Sequence, residues 1–220
     1  MKNRMKTLAV ATLVVVSALS MAQGRGGGMR MMGGGGGMSQ LLARPDVQAE
    51  IKLTDEQKGK LDDQRQAMRD AMRQRFQNGG GASSGTDREA MMKEFQEAAK
   101  KAEKEALAVL DDKQKARLKE LWIQREGNNV VTNEDIQKEL GFSEEQKGKV
   151  KSLQDASRQA MSEIFQKMQN GELDRSEMQP LMEKNQKAMS DELGKVMTAD
   201  QAAKLKAMRG AEFKFDEDGN

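Results

Sequence analysis

The chain has 220 residues, with 37 Lys and Arg against 35 Asp and Glu, 18 Met, one Trp and neither His nor Cys. Without His and Cys there is no Cys–His nucleophile, no Ser–His triad and no soft or imidazole metal site. A near-neutral balance also lacks the one-signed field that gathers nucleic acid over a distance.

In chain order, residues 1–22 read as a signal peptide. Lys2, Arg4 and Lys6 form a basic start, Leu8 to Leu19 an apolar run, and Ser20-Met21-Ala22 a cleavage site between Ala22 and Gln23. The run is shorter than the ~20 residues of a membrane span. No Cys follows it to carry a lipid, so no stable membrane anchor is expected after cleavage. Removing Lys2, Arg4 and Lys6 from the 37 basic residues leaves 34 against 35 acidic ones. The expected destination is the periplasm or the exterior.

Residues 23–45 are expected to be a disordered linker rich in Gly and Met. Gly24 to Met38 has too little apolar surface to fold. From there the composition turns to Ala, Lys, Glu, Gln, Met and Leu, all strong helix formers, with 3% aromatics and no Tyr. The expected fold class is all-α.

Residues 47–77 and 136–166 align without a gap at a constant offset of 89, with 13 of 31 pairs identical. One helical unit is therefore repeated, at 46–127 and 132–210, with a disordered tail at 211–220. Thr54 to Gln57 and Ser143 to Gln146 are capping boxes, in which the hydroxyl takes the N3 amide and Gln reaches back to the N-cap amide. Asp111 to Gln114 and Thr198 to Gln201 are two more, 87 residues apart at Gln114 and Gln201. Thr86 to Glu89 offers a fifth start.

The expected helices are then 46–51, 54–77, 86–110 and 111–126, followed by 132–140, 143–170, 174–196 and 198–209. Gly127, Gly141, Gly171 and Gly210 fall where C′ glycines belong. Pro180 belongs in the first turns of its helix or kinks it. Gly59 and Gly148, equivalent and inside long helices, point to close packing by another helix. Each unit is a long antiparallel helical hairpin with short capping helices and a thin, coiled-coil-like core.

Apolar stripes run through Leu61, Met68, Met72 and Phe76, through Met91, Phe95, Ala98, Ala102 and Val109, and through Val150, Leu153, Ser157, Ala160, Ile164 and Met168. Phe76 and Phe165 are the one aromatic pair kept in the repeat and suit either core or an exposed contact. Paired carboxylates such as Asp62 and Asp63 sit on polar faces. No phosphate-cradling loop follows a strand. The chain is therefore not expected to be an enzyme, and no cofactor or metal site is expected. Met fills irregular seams or forms adaptable binding surfaces. Met29, Met31, Met32 and Met38 also offer thioethers to Cu(I), at irregular spacing and without His or Cys.

At Leu53-Thr54-Asp55-Glu56-Gln57, and more weakly at Phe142-Ser143-Glu144-Glu145-Gln146, the sequence resembles the LTxxQ-motif (Spy/CpxP-like) family of exported helical proteins. Met197-Thr198-Ala199-Asp200-Gln201 fits the family's second motif, and Leu110 to Gln114 carries Asp in place of Thr. The resemblance covers most of residues 46–210. It implies ATP-independent holding of unfolded or partly folded exported proteins under stress, with two fused units replacing a dimer as an intramolecular pseudo-dimer, or a homodimer. Met68, Met72, Phe76, Met161, Ile164 and Phe165 are the candidate client face. The alternatives are a regulatory or structural coiled-coil module for one envelope partner, and a Met-rich copper-handling protein.

Overall fold

The computed structural model describes residues 37–78 and 85–216, without the side chains of residues 72, 75–78, 85–92 and 95. The elements in order are α1 (Met38–Leu41), α2 (Pro45–Glu50), α3 (Asp55–Asn78), α4 (Gly85–Ala108) and α5 (Asp112–Glu126). A 3-10 helix (Gly127–Thr132) continues from α5. Then come α6 (Glu134–Leu140), α7 (Glu144–Gln169), α8 (Arg175–Val196) and α9 (Ala199–Ala207). No strand occurs among the described residues, and the fold is all-α.

Local chemistry sets the helix starts. The Gln57, Gln114, Gln146 and Gln201 amides donate to Thr54, Asp111, Ser143 and Thr198 side chains at 3.2, 2.8, 3.2 and 3.2 Å. Each Gln Oε1 accepts from the N-cap amide in return, at 3.1, 3.0, 3.0 and 2.9 Å. Asp174 and Glu177 form a further box at the start of α8, where Pro180 lies inside the helix. The proposed start at Thr86 falls on side chains outside the described residues.

The four glutamines do more than cap. Gln57 and Gln114 form a cyclic amide pair, each Nε2 donating to the other's Oε1, at 2.7 and 2.9 Å. The second hydrogens go to the carbonyls of Val109 (2.9 Å) and Lys52 (3.3 Å). Gln146 and Gln201 repeat the pair at 2.6 and 3.1 Å, with the carbonyls of Val196 and Gly141 as the outer acceptors. Every amide donor and acceptor in the clasp is used. A glutamate, the other usual residue at N3 of a capping box, has no N–H for this.

More of the bonding recurs at the sequence offset. Gln48 and Gln137 donate to the carbonyls of Leu42 and Val131, both at 2.8 Å. The amides of Leu53 and Phe142 close the preceding turns onto Gln48 and Gln137 at 2.9 Å. That turn needs a left-handed residue: Gly141 (φ 70°) supplies it in one copy and Lys52 (φ 53°) in the other. A side chain is strained there by roughly 1–2 kcal/mol. Lys52→Gly is therefore expected to stabilise the fold by about 1 kcal/mol, read as a raised urea midpoint at unchanged slope. A lowered midpoint would show that the Lys52 side chain makes up for its strain.

Among the described residues the buried apolar side chains other than Met178 form one cluster drawn from both copies of the repeat. Leu41, Leu42, Val47, Ile51, Leu53 and Leu61 meet Leu118, Leu121, Trp122, Ile123, Val130, Val131, Ile136, Leu140, Phe142, Val150, Leu193 and Leu205. Most come from short elements, so the short helices build the interior instead of merely capping hairpins. Burying one Leu, Ile or Val fully is worth ~1.5–3 kcal/mol. The exposed ion pairs along the long helices add little beside that.

Three expectations need correction. The disorder assigned to residues 23–45 fails for residues 38–45, because α1 forms and Leu41 and Leu42 are 4% and 0% exposed; residues 23–36 lie outside the described residues. Two adjacent Leu residues supply the burial that the preceding glycines lack. The disordered tail assigned to 211–220 fails for residues 211–216, which α5 and α2 hold by side-chain bonds to their main chain. Gly59 and Gly148 do not receive a neighbouring helix, since a Cβ there would meet nothing within 4 Å. Gly59→Ala and Gly148→Ala should each raise stability by about 0.5–1 kcal/mol through helix propensity, checked by chemical denaturation. A loss on either change would reveal a contact to another molecule at that face.

Among the described glycines inside long helices, Gly194 in α8 does permit close approach, since a Cβ there would lie 2.8 Å from Asn128 Nδ2. Asn128 in turn donates to the Ser190 carbonyl at 3.1 Å, tying the 3-10 helix to α8. Ser39, 89 residues before Asn128, makes a similar link ahead of the first copy, donating to the Glu103 carboxylate of α4 at 2.9 Å.

Candidate functional site

All eight capping-motif residues (Thr54, Gln57, Asp111, Gln114, Ser143, Gln146, Thr198 and Gln201) are engaged within the fold. The clasps occupy their amides, which leaves the long helices as the surface for external contact. The start of α7 lies beside the end of α8, because Gln146 reaches the Val196 carbonyl. Halfway along, Asn185 donates to Ser157 Oγ at 2.9 Å.

That polar bond divides the α7–α8 seam. On the core side, Val150 and Leu193 are buried, and Leu153 and Met189 pack against the cluster. On the outer side, Met161, Ile164 and Phe165 are half-buried and stand outside the cluster. The same register brings them opposite Met178, which is buried, and half-buried Leu181 and Met182. Of the other client-face candidates, Met68 on α3 is 39% exposed. Met72 and Phe76 have side chains outside the described residues, and Ala22 and Gln23 lie outside them altogether. The outer seam is thus a partly covered strip of thioether, branched and aromatic side chains.

A second constellation was not legible in the sequence. Arg44 and Asp46 form a two-point ion pair at 3.0 and 2.6 Å, with side chains only 10% and 5% exposed. Burial works to raise the Asp46 carboxyl. Hydrogen bonds from Arg44 and from the amides of Asp216 and Val47, with the Arg44 charge, outweigh it and hold the group below its ordinary value. Over this pair lies the segment 211–216. Phe213 and Phe215 meet edge to face at 5.0 Å, and the guanidinium carbons of Arg44 and Arg125 stand 5.5 and 5.7 Å from the Phe215 ring centre. Gly210 (φ 62°) turns the chain into this path, and a Cβ there would run into the Glu120 carboxylate.

An open cleft of about 440 Å³ lies where the end of α5 and the 3-10 helix face α8, lined by Arg125, Glu126, Lys187 and Asp191 among others. Its mixed charges select no ligand class. Among the described residues no group of three or more Asp or Glu is placed to hold a metal ion, and no helix is long and apolar enough to cross a membrane.

The fold and surfaces define an all-α protein with a shared core and a partly covered apolar seam. No family model, curated protein or solved structure matches the chain.

Proposed function

We propose that this is an exported, non-enzymatic protein that holds unfolded or partly folded clients, without ATP, along the outer parts of its long helices. The observation that carries the reading is the division of the α7–α8 seam at Ser157 and Asn185. Beyond it Met161, Ile164 and Phe165 remain half-covered outside the core. Partly exposed apolar strips mark interaction surfaces, and thioethers repack against varied partners. The resemblance of residues 53–57 to the LTxxQ motif points the same way.

An aggregation assay with two unrelated unfolding clients and no ATP tests it. Stoichiometric protection of both is the expected result. Protection of neither ends the reading and favours a module specific for one envelope partner.

Ile164→Ser with Phe165→Ser should lower protection severalfold. The accompanying stability loss should stay well below the ~3–5 kcal/mol of truncating a fully buried Phe, because both side chains are only half-covered. Paired thermal melts and aggregation assays check this. A large drop in midpoint with unchanged protection per folded molecule would assign these residues to the interior instead.

A further inference from the structure

Side chains of α5 and of the start of α2 hold residues 211–216 by their main chain. These residues belong to no helix or strand, yet side chains hold them at both ends. Gln124 of α5 substitutes for a strand edge: its Oε1 accepts from the Phe213 amide at 2.9 Å and its Nε2 donates to the Ala211 carbonyl at 2.8 Å. Arg117 donates to the same carbonyl at 2.9 Å. At the far end, Asp46 accepts from the Asp216 amide at 2.9 Å and Arg44 donates to the Asp216 carbonyl at 2.8 Å. None of these five bonds uses a side chain of the segment itself. They select an extended backbone, and the alternate side chains carry the selectivity.

The segment shows that alternation. Phe213 and Phe215 are half-buried, whereas Glu212, Lys214 and Asp216 are exposed, the period of two expected of extended chain. Two guanidiniums near the Phe215 ring favour an aromatic over an aliphatic side chain there. The Arg44–Asp46 pair has its own two-point contact besides its bonds to Asp216, and Phe213 and Phe215 pack against the core cluster.

We propose that the groove beneath this segment, formed by α5 and the start of α2, is a binding site for an extended peptide with two aromatic side chains separated by one intervening residue, and that the chain's own residues 211–216 occupy it in cis. The site is separate from the α7–α8 seam and does not depend on a holding activity there. A tethered occupant competes at an effective concentration on the order of millimolar, so a free peptide enters well only when the tether is weakened.

The test uses the full chain carrying Phe213→Ala and Phe215→Ala, with the groove intact. The probe is a fluorescent, acetylated peptide copying residues 210–216. The expected result is saturable one-to-one binding, at least tenfold tighter than to the natural chain, and severalfold weaker for a probe with Leu at both aromatic positions. Absent binding, or equal binding to both chains, overturns the proposal if the variant keeps its helical circular dichroism. Should the variant not fold, hydrogen exchange on the natural chain decides. The Phe213 and Asp216 amides should exchange faster with millimolar probe present, and unchanged exchange would refute the site.

Discussion

Gln114→Glu should lower stability at pH 7 by about 3 kcal/mol, a large part of the ~5–15 kcal/mol of an ordinary domain. Gln114 is 8% exposed, and its Nε2 serves both Gln57 and the Lys52 carbonyl. The substitution deletes both donors, leaves the Lys52 carbonyl short of a partner and sets a carboxylate against two oxygens. An unsatisfied buried group costs ~1–3 kcal/mol, and more when charged. Burial without a cation raises the folded carboxyl above its unfolded value near ~4.3. The neutral acid restores one of the two donors, so the deficit relative to the natural chain should be smaller, though not absent, below about pH 4 and grow as pH rises through the folded value. Urea denaturation of both chains at pH 4 and pH 7 measures it. Equal midpoints at pH 7 would show that the amide pair contributes nothing. Gln57→Glu combined with Gln114→Glu should lose more at pH 7 than the two single losses predict, because two carboxylates then face each other.

Leu121→Ala should cost ~2–5 kcal/mol, the range for truncating a fully buried Leu. Leu121 is 0% exposed, in a cluster that draws on both copies of the repeat. The loss should therefore lower one transition for the whole described fold. Trp122 is the chain's single tryptophan and sits in that cluster. Its fluorescence should report the same midpoint as helical circular dichroism, in the natural chain and in the variant alike. Separated midpoints would mean that the repeats unfold independently and that the shared cluster does not couple them.

The difference between these sites explains what the sequence made legible. Thr54, Asp111, Ser143 and Thr198 could be read as helix starts because a capping box spans four consecutive residues, and every atom it needs is in the local chain. Gly141 could be read as a helix end for the same reason, and the helix-forming composition gave the fold class. The outer seam was partly legible: the stripe through Ala160, Ile164 and Met168 held Ile164, and Met161 and Phe165 were named with it as candidate client contacts. How far that stripe is covered was not.

The clasps, the shared core and the groove under residues 211–216 depend on partners far along the chain. Gln57 meets Gln114 across 57 residues and Gln146 meets Gln201 across 55. Phe213 meets Gln124 across 89. Gly59 and Gly194 look alike as helical glycines, yet one faces open space and the other faces Asn128. Capping, propensity and left-handed turns draw their free energy from neighbours within about four residues, and so are written in the local sequence. Amide pairing and burial draw theirs from whichever surfaces meet, and only the packing of the short helices around Leu121 and Trp122 decided that.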